Sequence, residues 1–195
     1  MSLKIISGLA RGIMLDTPDG RSMRPTSGRA REALFSSLGS LEGVRFADIF
    51  AGSGAIGLEA ASRGAAAVAL LEGDFRHVKF IERNTAKLRK AGVQTPIQLV
   101  SGKLSPGALL RIGACDIWLF DPPYAESADF LAELIKHRNV LELFRNSLVI
   151  WEMPDTAEAR GKFQAIAGLD DVLECRIKSL GGNDFMLRKV RDREA

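Results

Sequence analysis

Cysteine is scarce in this chain. Cys115 and Cys175 are the only two among 195 residues, too few and too far apart for a disulfide framework or a zinc site. Histidine also occurs only twice, as His77 and His137. Both fall in predicted helices with no partnered acid or cysteine, which argues for solvated helix residues and against a metal centre. Aromatics make up 7% of the chain and include one tyrosine, Tyr124, so a role that needs a tyrosine ring has one candidate. No apolar run approaches the roughly 18 residues of a membrane span, and mean hydropathy is +0.03. The opening Met-Ser-Leu-Lys-Ile-Ile lacks the basic, apolar and cleavage regions of a secretory signal. The expectation is a cytoplasmic globular protein with no membrane partner.

The residues that are present suit a sizeable core, with 46% hydrophobic and 26% charged. The net charge of +3 does not by itself mark a nucleic-acid protein, but it is unevenly spread. Residues 1–35 carry +3 and residues 176–195 another +3, around a body of −3. The basic N-terminal part holds Arg11, Arg24, Arg29 and Arg31.

Two short strands, Lys4–Ser7 and Gly12–Asp16, are expected around a turn at residues 8–12, and Pro18-Asp19-Gly20 marks a second turn. Thr26 or Ser27 can cap a helix from Arg29 to Leu38, stopped by Gly39. Strand and helix then alternate. Strands are predicted at 44–50, 67–72, 97–100, 116–120 and 147–152, with helices at 54–63, 76–91 and 130–137. These strands are near-continuous apolar runs, as expected where helices cover both sheet faces. Residues 172–179 and 185–190 flank Gly181-Gly182-Asn183 and read as an antiparallel hairpin. The predicted fold is a Rossmann-like, doubly wound α/β domain. Its sheet is seven-stranded and mostly parallel, with a C-terminal antiparallel hairpin and a small N-terminal β-hairpin/helix appendage. The boundary is expected at residue 40, giving an appendage at 1–40 and the α/β domain at 41–195.

Two motifs carry chemistry. Asp48-Ile-Phe-Ala51-Gly52-Ser53-Gly54-Ala-Ile-Gly57 spans a strand-to-helix junction, where glycines allow a tight turn and close backbone approach to a ligand. Glu72 ends the next strand, 20 residues after Gly52, at the place where an acid binds a ribose hydroxyl pair. The loop indicates a nucleoside cofactor and leaves open both NAD and S-adenosylmethionine. Asp48 favours the second, because a carboxylate there would repel a pyrophosphate and suits a cationic amino-acid end.

The second motif is Asp121-Pro122-Pro123-Tyr124, directly after a predicted strand. Its prolines stiffen the turn and leave carbonyls to accept hydrogen bonds. A carboxylate and a proline carbonyl can grip both hydrogens of an exocyclic amine while the Tyr124 ring stacks on the base. Phe35, Phe50, Phe80, Phe120 and Phe144 are assigned to the core. Alanines flanking Gly52-Ser53-Gly54 rule out a G-x-S-x-G nucleophile elbow.

The loop, Glu72 and the tetrad resemble class I S-adenosylmethionine-dependent amino-methyltransferases. The N-terminal residues Ile5-Ile6-Ser7-Gly8-Leu-Ala-Arg11-Gly12, Arg24-Pro25-Thr26, Arg29 and Arg31-Glu32-Ala33-Leu34-Phe35 narrow this. They are similar to the bacterial 16S ribosomal RNA guanine-N2-methyltransferase family, and the resemblance covers roughly residues 4–190. It implies methylation of a guanine N2 amine in 16S rRNA or the 30S subunit or its assembly intermediate, by a monomer using S-adenosylmethionine. The implied cofactor set is Thr26, Asp48, Ala51, Gly52, Ser53, Gly54, Glu72 and Gly102, and Asp121, Pro122, Pro123 and Tyr124 hold the target base. Arg11, Arg24, Arg29 and Arg31 become the RNA contacts. The chain departs from the family after the third strand, where Gly102 stands in place of an adenine-binding acid or amide. Alternatives are a DNA adenine-N6 or cytosine-N4 amino-methyltransferase, an NAD oxidoreductase, and a non-catalytic RNA-binding assembly factor.

Overall fold

The computed structural model describes residues 3–18, 27–153, 156–158, 160–162 and 173–190. Helix α1 spans Gly28–Leu38, with Ser27 capping it by accepting the Ala30 amide and Gly39 ending it at a φ of 76°. The alternation then runs β1 (Arg45–Ile49), α2 (Ala55–Ser62), β2 (Ala67–Glu72), α3 (Phe75–Lys90), β3 (Ile97–Ser101), α4 (Pro106–Ile112) and β4 (Ile117–Phe120). A single 3-10 turn at Tyr124–Glu126 leads into α5 (Ser127–Leu134), followed by α6 (Arg138–Leu143), β5 (Leu148–Glu152), β6 (Leu173–Leu180) and β7 (Asn183–Val190).

The sheet has seven strands in the order β3-β2-β1-β4-β5-β7-β6. Strands β1 to β5 are parallel, and β7 is antiparallel to both β5 and β6. This is the predicted doubly wound fold with its closing hairpin. Strands β1, β2 and β4 are buried almost throughout, because each sheet face carries its own core. One core joins Leu34, Phe35, Leu58, Leu70 and Ile81 with Ile5 and Leu15 from the N-terminal segment. The other joins Ala47, Leu109, Trp118, Phe120, Leu131 and Trp151. Among the described residues no helix is long and apolar enough to cross a membrane.

Several expectations need correction. The two N-terminal strands shrink to one antiparallel bridge, Lys4 with Met14. The cause is competition: the amides of Ile6 and Ser7 go to the Glu59 carboxylate at 2.7 and 2.9 Å, and the Ala10 amide goes to the Ser62 hydroxyl. Helices α4 and α6 were not anticipated. The helix expected at 130–137 begins at Ser127 and ends at Leu134, and His137 stands as N-cap of α6. The turn at Pro18-Asp19-Gly20, together with Arg24 and Thr26, lies wholly or partly outside the described residues.

Candidate active site

The sheet order reverses between β1 and β4, since β2 and β3 lie to one side of β1 and β5 to the other side of β4. Doubly wound folds bind ligands at the carboxyl ends of the strands at such a reversal. Both motifs emerge there. Ile49, at the end of β1, pairs with Phe120 at the end of β4, and the Asp121 amide donates to the Ile49 carbonyl at 3.3 Å. The glycine loop and the tetrad, about 70 positions apart in the sequence, thus begin as neighbours.

The loop is held by its own backbone. The amides of Phe50 and Ala51 both donate to the Leu71 carbonyl at 3.0 Å, and the Gly54 amide donates to Ala51 at 2.7 Å. Gly52 and Gly54 have φ of 58° and 80°, conformations that strain a residue with a Cβ. Phe50 bears that strain, with φ at 71°, and its ring lies 5.0 Å from that of Phe130 on α5. This contact ties the loop to the helix that follows the tetrad. Positive φ at a bulky residue marks a backbone over-determined by its surroundings, and such strain concentrates at functional sites. Phe50 is therefore not the simple core residue expected. Phe80 is not one either, since it is half-buried with the Arg83 guanidinium 4.5 Å from its ring centre. Phe35, Phe120 and Phe144 are buried as expected.

Glu72 is 8% exposed, and each carboxylate oxygen receives a backbone amide, from Gly52 at 2.7 Å and from Asp74 at 2.7 Å. A third neighbour is not legible in the sequence. His77, in the first turn of α3, places Nδ1 3.5 Å from Glu72 Oε1. His137 pairs likewise with Glu133 at 3.1 Å, so neither histidine is the unpartnered residue expected. Phe75, at the first position of α3, is 73% exposed.

Asp48 acts from behind the loop. It is 2% exposed, and Oδ2 accepts the Gly57 amide at 2.8 Å. Burial pushes its pKa up to about 7, against the opposing pull of the Gly57 bond and with a smaller push from the Glu72 charge. Its part in the structure is to tie β1 to the first turn of α2. Gly57 packs α2 against β2, since a Cβ there would fall 2.2 Å from Leu70 Cδ2. It is a packing glycine, not a ligand-facing one.

Beyond β3, Gly102 has φ of 142° and donates its amide to the Glu72 carbonyl at 2.9 Å. A Cβ at Gly102 would meet nothing within 4 Å, so the position opens onto free space. Ser53 is 4% exposed, and its carbonyl accepts from Nδ2 of Asn84 at 2.9 Å. Asn84, also missed, is fully buried. The same Nδ2 donates to the Asp16 carbonyl, and Oδ1 accepts the Asp16 amide at 2.7 Å. Asn84 therefore bridges the glycine loop to the N-terminal segment. Only the folded register of three distant segments could have signalled it.

In the tetrad, Asp121 is half-buried, Pro122 is buried and Pro123 is exposed. The Pro123 carbonyl accepts the Glu126 amide at 3.0 Å, which starts the turn that carries Tyr124. Arg11 and Arg29 are exposed, as a phosphate contact requires. Arg31 is not. It is 2% exposed, and its Nη2 donates to the Lys4 carbonyl at 2.9 Å. Burial lowers its pKa, while the nearby Glu59 charge opposes the shift. A guanidinium sealed beneath the N-terminal segment cannot reach a phosphate, so Arg31 leaves the RNA-contact set and becomes an anchor of α1.

The donor set fits a cofactor with a nucleoside and an amino-acid end. It offers a carboxylate at the end of β2, a glycine turn leading into α2, and open space at Gly102. A family model described as conserved hypothetical protein 95 matches residues 3–174. The chain belongs to that family, the RsmD-type family. Within and around the family, YlbH of Bacillus subtilis, provisionally named an rRNA methyltransferase, is 34% identical over 144 residues, which span 72% of this chain and 77% of that one. Ribosomal RNA small subunit methyltransferase D of Escherichia coli K12 is 45% identical over 91 residues, 46% of each chain. Among solved structures, the Escherichia coli protein YhhF, provisionally named a methyltransferase, superposes with a TM-score of 0.68 at 26% identity, covering 99% of this chain and 100% of that one. A hypothetical protein of Thermus thermophilus, TTHA0928, superposes at 0.67 with 28% identity, covering 96% and 99%.

Proposed function

We propose that this protein uses S-adenosylmethionine to methylate the exocyclic N2 amine of a guanine in 16S rRNA, as a cytoplasmic monomer acting on the 30S subunit or its assembly intermediate. The observation that carries the reading is the β1–β4 register, which sets Asp121 one hydrogen bond from the end of the strand that feeds the glycine loop. The family, with relatives named as rRNA methyltransferases, supports the same substrate class.

Glu72 holds the ribose hydroxyls, the backbone of Ala51, Gly52, Ser53 and Gly54 lies along the amino-acid end, and Phe75 and Gly102 border the adenine. When bound, the cofactor supplies an electrophilic methyl group on a sulfonium. The guanine amine is a poor nucleophile because its lone pair is delocalised into the ring. The Asp121 carboxylate and Pro122 carbonyl accept its two N–H bonds, favouring a pyramidal nitrogen with its lone pair aimed at the methyl carbon. Tyr124 stacks on the base, and Asp121 stabilises the positive charge that develops on nitrogen and receives the proton released after transfer. Orientation and electrostatics carry the rate. A paired guanine could not reach Asp121, so the target is unpaired or flipped out. RNA binding and cofactor covering are assigned to residues 1–40, with Arg11, Arg24 and Arg29 as the phosphate contacts and Thr26 as a cofactor contact.

The decisive experiment supplies methyl-labelled S-adenosylmethionine with naked 16S RNA, 30S particles or DNA, followed by nucleoside analysis. Label in N2-methylguanosine is expected. Label on DNA adenine or cytosine, or none on any RNA, overturns the proposal. Asp121→Ala should lower the transfer rate by about 100-fold or more while cofactor affinity holds. Full transfer by that variant would remove Asp121 from the chemistry.

A further inference from the structure

Helix α3 carries a charge pattern that the site does not use. Its cations at Arg76, Lys79, Arg83, Lys87 and Lys90 recur at intervals of three and four residues. At about 100° per residue they fall within an arc of about 80°, along about 21 Å of helix. The opposite face is apolar and buried through Val78, Ile81 and Leu88, so packing fixes the basic arc outward. Lys79, Arg83 and Lys90 are exposed.

These cations are not all equally free. Arg76 is paired with Asp74 at 2.6 Å and Lys87 with Asp16 at 2.7 Å. Glu82 lies on the same helix about 60° beyond the edge of the arc. Lys79, Arg83 and Lys90 form no ion pair among the described residues. Arg83 Nε donates to the Lys79 carbonyl at 3.3 Å, and its charge helps to lower the pKa of Asp16, whose carboxylate is paired with Lys87. Exposed Lys136, Arg145 and Lys162 are each paired with a glutamate three or four residues away. Lys103, Arg111 and Arg138 are exposed and unpaired among the described residues but do not share one helix face with other such cations.

The stripe is continuous with the N-terminal segment. The Lys87 ammonium donates to the Met14 carbonyl at 3.0 Å. A Cβ at Gly92, just past the helix, would sit 3.7 Å from Leu9 Cδ2, so the tip that bears exposed Arg11 lies against the C-terminal end of α3. At the other end, Arg76 follows Glu72 and Asp74 at the carboxyl edge of the sheet. The stripe thus runs from the edge that holds the candidate site to the tip of the appendage.

We infer that Lys79, Arg83 and Lys90 of α3 form a track for the sugar-phosphate backbone of the RNA substrate, extending its contact well beyond the target base. A row of unpaired cations on a rigid helix suits a regularly spaced polyanion. Each cation that meets a phosphate releases a counterion and steepens the salt dependence of binding. This inference rests on the proposed RNA substrate and enlarges the contact assigned to the N-terminal arginines.

The test compares the wild type with Lys79→Gln/Arg83→Gln/Lys90→Gln on protein-free 16S RNA, measuring affinity across salt concentrations. The slope of log affinity against log salt should fall by about one per cation removed. Affinity at 0.15 M salt should drop at least about tenfold, while S-adenosylmethionine affinity and the thermal midpoint stay unchanged. A charge-preserving variant, Lys79→Arg/Arg83→Lys/Lys90→Arg, should restore the slope and separates charge from any loss of the Arg83–Phe80 contact. A wild type that binds and methylates RNA with the same slope as the glutamine variant overturns the track and leaves the function standing. A loss seen only on assembled 30S particles also overturns it, since the stripe would then meet protein. A wild type that methylates neither protein-free RNA nor 30S particles overturns both readings, and one that methylates 30S particles without binding protein-free RNA overturns the track alone.

Discussion

Asp48 shows how one residue can look like a ligand and work as a joint. A carboxylate before a glycine loop invites a role at the cofactor, yet its oxygen is taken up by the Gly57 amide in a buried setting. Its pKa, raised from 3.8 to about 7, has a defined consequence for stability. Between about pH 4 and 7 the folded state holds a proton that the unfolded state has released, so stability falls as pH rises through this window. Asp48→Asn keeps an acceptor for Gly57 and cannot ionise. Its stability advantage over the wild type should be small near pH 4, grow through neutrality and level off above pH 8. The ceiling, about 4 kcal/mol, follows from about 1.4 kcal/mol per tenfold in proton affinity over roughly three decades. Urea midpoints of both proteins at pH 5 and pH 8 provide the measurement; an unchanged gap between them would show that Asp48 is already ionised in the fold.

At the scale of elements, the glycine loop is held by α3 as well as by its own strand. Asn84→Leu leaves the Ser53 carbonyl and both backbone groups of Asp16 without their partner, at a cost of about 1–3 kcal/mol for each buried group left unsatisfied. Amides of Ile5, Gly12 and Leu15, which close the N-terminal segment on itself, should then exchange faster with solvent, while those of β4 and β5 keep their protection. Uniform loss of protection would make Asn84 a general core residue, not a bridge. This contrast also explains what could be read from the sequence. Strands β1 to β5 were legible because each is a local apolar run, and the two motifs because their residues adjoin. Helices α4 and α6, with seven and six residues, are too short to display a helical period. The N-terminal strands are shorter than their sequence suggests because Glu59, more than 50 positions away, takes the Ile6 and Ser7 amides, and Ser62 takes the Ala10 amide in the intervening turn. Arg31 reads as exposed for the same reason, since Lys4 lies 27 positions away. His77 meets Glu72 from just across the turn between β2 and α3, a contact that a helical period alone does not signal.

For the whole molecule, the sequence boundary at residue 40 meets a shared core. Ile5, Leu15, Leu34 and Phe35 belong to the same cluster as Leu58, Leu70 and Ile81, and the Phe35 ring lies 6.1 Å from that of Phe46 on β1. Burying four such side chains contributes about 6–12 kcal/mol at about 1.5–3 kcal/mol each, comparable to the roughly 5–15 kcal/mol of a whole domain. Polar ties run the same way. Glu59 of α2 is fully buried, with Ile6 and Ser7 amides on its oxygens. A Cβ at Gly181, in the turn between β6 and β7, would strike Ala30 of α1 at 2.5 Å, so the first helix also seats the last hairpin. Removing residues 1–40 would therefore uncover Phe46 and Leu58 and leave the Glu59 carboxylate its Arg63 partner but not the Ile6 and Ser7 amides. Heating the intact chain should give one transition by both circular dichroism and tryptophan fluorescence, with Trp118 and Trp151 reporting from the opposite sheet face. The 41–195 fragment should lack a cooperative transition and bind a hydrophobic dye. A fragment that melts cooperatively without dye binding would instead make the appendage a separable module, one whose grip on RNA could be gained or lost without disturbing the methyl-transfer site.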